Sequence, residues 1–113
     1  MSKYKNRKIT IDGITFDSKK EYNRYCELKL LERAGEISNL QRQVKFTLIP
    51  AQYYNGKCIR ATSYIADFTY FDYGTNELVV EDVKGYKQGQ AYALFTMKRK
   101  MMLYMHGIMV REI

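Results

Sequence analysis

The chain has no tryptophan, one proline, one histidine and two cysteines among its 113 residues. A single histidine, His106, excludes a two-histidine zinc site and catalysis by a histidine pair. Cys26 and Cys58 lie far apart with no CxxC spacing, which argues against both a disulfide scaffold and a cysteine zinc site. The longest apolar runs are a few residues, far short of a membrane span. The amino-terminal MSKYKNRKITIDG is charged and lacks the apolar stretch of a signal peptide, so a cytoplasmic protein is expected. Internal repeats and low-complexity segments are absent.

What the chain does have is a globular balance, with 46% hydrophobic and 27% charged residues, and enough length for one domain. Nineteen Lys and Arg against twelve Asp and Glu give a net charge of +7, a footprint suited to a polyanion. Residues 1–8 carry Lys3, Lys5, Arg7 and Lys8 without an acid and read as a basic arm. Residues 9–113 form the single domain. The eleven tyrosines are expected mainly in the core and sheet, and Met97, Met101, Met102, Met105 and Met109 as core filler.

Lys8–Ile11 and Ile14–Phe16 flank Asp12-Gly13, a tight hairpin signal. Ser18 followed by Glu21 is a capping box opening a helix that runs to about Ala34 and stops at Gly35. A strand is predicted over Val44–Ile49, ending at Pro50. A second hairpin turns on Asn55-Gly56, between Gln52–Tyr54 and Lys57–Arg60. Residues 64–72 and 78–84 read as strands joined by a turn at 72–77. A helix over about 89–106 ends at Gly107, and residues 108–113 make a last strand. The result is an α/β domain in the order αβββαβ, with helices flanking a mixed sheet.

Strand side chains alternate faces. In residues 78–84 one face carries Leu78, Val80, Asp82 and Lys84, and the other Val79, Glu81 and Val83. In residues 64–72 one face carries Ile65, Asp67, Thr69 and Phe71. Folding the two strands about Gly74-Thr75 sets Phe71 against Leu78 and Asp67 against Asp82, with Cβ atoms roughly 4.5–5.5 Å apart. Opposed like charges destabilise a sheet, and a bound divalent cation is the usual reason to keep them. In the last helix Lys98 is predicted at the centre of a stripe of Ala91, Leu94, Phe95, Met101, Met102 and Met105, either snorkelling or facing a polar pocket. In the first helix Glu21 shares a face with Tyr25 and Leu28, as a helix cap or as part of the same site. Glu21, Asp67, Asp82 and Lys84, with Lys98 a fifth, are candidates for one centre. Hard oxygen donors without imidazole or thiolate suit Mg²⁺ or Mn²⁺.

An acid on one strand and acid-x-Lys on the next, in αβββαβ order, resembles the PD-(D/E)XK phosphodiesterase superfamily. Here the pattern is Ala66-Asp67, then Asp82-Val83-Lys84. FDSKKE, YIADF and VVEDVKG also resemble a phage-associated group of small proteins placed in that superfamily. Alanine replaces the motif's proline, and Asp82 stands where Glu is common. Glu81 is a competing acid, set aside because only Asp82 shares a face with Lys84 and Asp67. The resemblance implies Mg²⁺-dependent hydrolysis of nucleic-acid phosphodiesters, with DNA the expected substrate, in a bacterial or phage-infected cell. Asp67, Asp82, Glu21 and the Val83 carbonyl would hold the metal, and Lys84 would orient the attacking water or stabilise charge. With no added recognition domain, branched or junction DNA is a more natural target than a particular sequence, and paired cuts would need a homodimer. Lys3, Lys5, Arg7, Lys8, Lys19, Lys20, Lys87, Arg99 and Lys100 are the expected nucleic-acid contacts. Two other readings are a non-catalytic basic nucleic-acid-binding module and a phage protein that binds a host protein.

Overall fold

The computed structural model describes residues 7–113. Lys3 and Lys5 of the basic arm lie outside the described residues, while Arg7 and Lys8 are exposed. The chain begins with a hairpin, β1 (Ile9–Ile11) and β2 (Ile14–Phe16). Asp12 and Gly13 both take positive φ, of 53° and 78°, as a twisted two-residue hairpin turn requires. Helix α1 (Lys19–Arg33) starts where Ser18 Oγ accepts from the Glu21 N–H at 3.1 Å. The long strand β3 (Ile37–Ile49) leads into a second hairpin, β4 (Gln52–Tyr54) and β5 (Lys57–Ile59). Then come β6 (Thr62–Asp72), β7 (Glu77–Asp82), α2 (Gly89–His106) and β8 (Arg111–Glu112).

The central sheet has the order β3-β6-β7-β8. Its first two pairings are antiparallel and β7 runs parallel to β8, with α2 as the crossover. Without the two hairpins the order is αβββαβ, a mixed α/β core as the residue pattern predicts. The β6–β7 register matches at Phe71 with Leu78, and the ladder ends at Phe68 with Glu81, one step short of the expected Asp67–Asp82 pair.

Several strand boundaries differ from expectation. Strand β3 starts at Ile37 rather than Val44, because Ser38, Asn39, Gln41, Arg42 and Gln43 hide the strand signal behind polar side chains. Strand β7 stops at Asp82 and β8 covers two residues. Past those ends the pairing continues irregularly, with Ile113 N–H on the Asp82 carbonyl at 2.9 Å and Lys84 N–H on the Ile113 carbonyl at 3.2 Å.

The core divides between the helices. Leu28 of α1 packs with Ile37, Phe68, Tyr70 and Val79. Phe95 and Met102 of α2 pack with Leu48, Tyr64, Ala66, Val80 and Val110. On β7, Val79 serves the first cluster and Val80 the second, the alternation of an ordinary strand. On β6, the even side chains Tyr64 and Ala66 serve α2 while Phe68 and Tyr70 serve α1. The changeover falls at Asp67. Across the ladder lies Gln43, between the pairs Arg42–Phe68 and Val44–Ala66, with a left-handed φ of 52°. A non-glycine residue in that region bends its strand at a cost of about 1–3 kcal/mol. The bend lets Arg42 turn toward α1 while Phe46 and Leu48 stay under α2.

The methionines are not the core filler the composition suggests. Met102 is fully buried, but Met97, Met105 and Met109 are 55%, 51% and 79% exposed. The buried row of α2 runs through Phe95 and Met102, flanked by Tyr92 and Met101. Ala91, Leu94 and Met105 of the expected stripe are exposed, so Lys98 lies on the flank of the packed face rather than at its centre. The sheet meets α2 at Phe95 and Met102, and helical periodicity alone could not locate that contact line.

Candidate active site

Asp67 lies at the changeover of β6, opposite the left-handed Gln43 of β3. Its Oδ2 accepts from the Val83 N–H at 2.8 Å and its Oδ1 from Gln43 Nε2 at 3.2 Å. The same Gln43 nitrogen lies 3.4 Å from Glu21 Oε2, which also accepts from Arg42 Nη2 at 3.3 Å. Arg42 is itself fixed by the Phe16 ring, 4.4 Å from its guanidinium carbon. Asp17, just before the α1 cap, completes a group: one carboxylate oxygen each from Asp17, Glu21 and Asp67 lie within 4.8 Å of one another.

The electrostatics reflect this crowding. Burial first, then the charges of Asp82 and Glu21, push the Asp67 carboxyl up to about 7, against the hydrogen bonds from Val83 and Gln43. Glu21 is also raised, by burial and then by Asp17, with Arg42 opposing. Glu21 therefore has two roles: its N–H closes the helix cap, and its carboxylate, on a residue only 2% exposed, points into the site.

Asp82 faces the same cleft from β7. Its Oδ2 accepts from Tyr64 Oη at 2.6 Å, and its Oδ1 pairs with Lys84 Nζ at 2.9 Å. Lys84 Nζ also lies 4.1 Å from the Phe95 ring centroid. Burial and Asp82 together raise Tyr64, so it remains a hydrogen-bond donor. The cleft, about 460 Å³, is lined by Asp17, Glu21, Gln43, Asp67, Asp82, Val83 and Lys84 among others. A neighbouring hollow of about 300 Å³ shares Asp82 and Lys84 and adds Lys98, which makes no ion pair with any described residue.

Glu81 faces away. It is wholly buried, bonded twice by Arg24 and once by the Tyr70 hydroxyl. Burial and Glu81 push Tyr70 up to about 12. Asp82, not Glu81, is thus the acid that shares the cleft with Lys84 and Asp67.

Asp17, Arg42, Gln43 and Tyr64 were missed in the sequence. Asp17 had one visible signal, its place immediately before the capping serine. Gln43 had none, because its alignment with Asp67 depends on a register set across the β4–β5 insertion. Several expected nucleic-acid contacts are already engaged. Lys87 and Arg99 both bind Glu112, at 3.0 Å each, and Lys20 Nζ donates to the Lys84 carbonyl at 2.7 Å. Lys8 lies 3.8 Å from Asp17, while Lys19 and Lys100 are exposed.

A family model described as protein of unknown function, DUF1064, matches residues 1–110. The chain belongs to the DUF1064 family. No curated protein and no solved structure matches it. The match spans both hairpins and every element of the core but β8, so the cleft and the β4–β5 insertion both fall within the family's extent. Among the described residues, no helix is long and apolar enough to cross a membrane.

Proposed function

We propose that the Asp67 cleft is the centre of a divalent-metal-dependent endonuclease that hydrolyses DNA phosphodiester bonds, reading branched structure rather than sequence. One observation carries this reading. Asp67 and Asp82 from neighbouring strands and Lys84, just past the end of β7, line one cleft with Glu21 from the first helix, the set that the PD-(D/E)XK resemblance implies. Crowded carboxylates that raise one another's proton affinity are costly unless a cation shares them.

The donors fit a hard cation. Asp17, Glu21 and Asp67 would hold Mg²⁺ or Mn²⁺ with carboxylate oxygens only, Asp82 stands beside them, and no imidazole or thiolate lines the cleft. When bound, such an ion acidifies a water and neutralises charge developing on the phosphoryl oxygens. The remaining work belongs to the chain. Gln43 and the Val83 N–H fix the Asp67 carboxylate. Asp82 and the Phe95 ring hold Lys84, which keeps protons free for a phosphate oxygen or the attacking water. As water adds to phosphorus and the ester bond breaks, Lys84 opposes the charge that accumulates. Cutting both strands takes two such clefts, so the reading includes a homodimer acting in the cytoplasm.

The test is to incubate the purified protein with linear, nicked, flapped and four-way DNA, in Mg²⁺ or in chelator. Metal-dependent cleavage, strongest on branched substrates and lost in Asp82→Asn, is expected. That substitution keeps an acceptor for Tyr64 and removes the charge facing Lys84. Tight salt-sensitive binding without cleavage in Mg²⁺ or Mn²⁺ would favour a non-catalytic binding module instead.

A further inference from the structure

The β4–β5 hairpin is an exposed ribbon that takes no part in the core. Every residue from Ile49 to Ala61 is exposed, and the two short strands pair only with each other. Asn55 and Gly56, with φ of 50° and 76°, form the same kind of turn as the first hairpin. An isolated two-stranded hairpin is marginally stable in water, and a folded protein normally lays one face of it on the core. Here neither face is covered. Tyr53 is 78% exposed on one face, and Tyr54 is 68% exposed on the other.

The charge on this segment is of one sign. No acid occurs between Glu36 and Asp67, whereas Arg42, Lys45, Lys57 and Arg60 all do. The ribbon continues β3 and β6, the strands that carry Gln43 and Asp67. Its root at Thr62 is five residues from Asp67, about 17 Å along the strand and half a turn of B-form DNA. A two-stranded ribbon fits a duplex major groove about 12 Å wide.

We propose that the β4–β5 hairpin is a nucleic-acid-binding ribbon that lies along a duplex bound in the Asp67 cleft. Lys57 and Arg60 meet phosphates, and Tyr53 and Tyr54 supply aromatic and hydroxyl contacts. A second copy of this chain is the less favoured occupant, since the hairpin would bring its positive charge to an equally basic surface. The choice of DNA as the polyanion rests on the nuclease reading above, so the test separates the two.

The experiment measures binding of a fluorescein-labelled duplex of about 24 base pairs by anisotropy in chelator, across a salt series, and cleavage in Mg²⁺ separately. The variants are Lys57→Gln/Arg60→Gln and Tyr53→Ala/Tyr54→Ala, all at exposed positions. The first should weaken binding about tenfold and lower the slope of log affinity against log salt by roughly 0.9 per cation removed. The second should weaken binding with little change in slope. Both should raise KM and leave kcat at saturation unchanged. Wild-type affinity, slope and KM in both variants would overturn the proposal, even if the protein cleaves DNA. Loss of a dimer in sedimentation, with DNA affinity retained by the monomer, would overturn it in favour of a subunit interface. If the wild type cleaves nothing but both variants lose affinity as expected, the ribbon proposal stands and the nuclease reading fails.

Discussion

At the scale of single residues, the cleft trades stability for charge. The folded chain holds the Asp67 proton up to about pH 7, whereas an unfolded chain releases it near pH 4. Between those limits the native state binds more protons, so this group's contribution to stability falls as pH rises and is lowest above 7. Asp67→Asn cannot ionise and keeps an acceptor for the Val83 N–H. In chelator at pH 8 it should be more stable than wild type by up to ~4 kcal/mol, a gap that nearly closes by pH 4. Thermal melts at both pH values check this. Adding Mn²⁺ should raise the wild-type melting temperature and leave Asp67→Asn nearly unmoved. A destabilised Asp67→Asn that keeps its metal response would make Asp67 a structural hydrogen-bonding residue. Glu81 behaves in the opposite way. Its carboxylate is the buried partner of Arg24 and Tyr70, so Glu81→Ala should cost ~3–5 kcal/mol by stranding Arg24. Activity in that variant has to be compared per folded molecule, well below its lowered melting temperature.

At the scale of elements, α1 links the helix cap to the site. Ser18 holds the Glu21 N–H, so the cap also places the Glu21 side chain and, one residue earlier, Asp17. Ser18→Ala should cost about 1 kcal/mol in stability. It should also weaken Mn²⁺ binding, measured by calorimetry, because the first turn that carries Glu21 loses its anchor. Unchanged metal affinity would mean that Asp67 and Asp82 suffice. In α2, Lys98 borders the hollow shared by Asp82 and Lys84. Lys98→Met keeps the stem and removes the charge, so turnover should fall while the melting temperature stays within a few degrees. Equal turnover in single-turnover kinetics would assign Lys98 to surface packing.

At the scale of the whole molecule, the net charge of +7 predicts DNA affinity that falls steeply with salt and varies little with sequence. The log–log slope should be about −0.9 for each phosphate neutralised. Lys87, Arg99 and Lys20 are already engaged within the fold, so their removal should change the slope less than removal of Lys57 and Arg60 does. A flat salt dependence would remove the polyanion reading altogether. The radius of gyration of 16.0 Å also exceeds the ~13 Å of a compact domain of this length. A shape that extended suits a partner gripped along its length.

Local chemistry makes several features legible in the amino-acid sequence by itself. Asp12-Gly13 and Asn55-Gly56 are turns because only such pairs take two positive φ values cheaply. Ser18 and Glu21 mark a helix start because a hydroxyl can satisfy an otherwise unpaired N–H. Asp67 and Asp82 come together because both adjoin one short turn, so their register is a matter of counting. The tertiary structure alone decided what depends on distant segments. Gln43 opposes Asp67 only because a twelve-residue excursion returns β6 to β3 in that register. Its left-handed backbone and the changeover of β6 at Asp67 go with that pairing, which also brings Asp67 to the Asp17 and Glu21 carboxylates of the α1 start. The buried line of α2 was fixed where Phe95 and Met102 meet the sheet, a contact that no periodicity in the helix could specify. Sequence settles geometry when the interacting residues are neighbours in the chain. Tertiary structure settles it when they meet across the entropy of a closed loop.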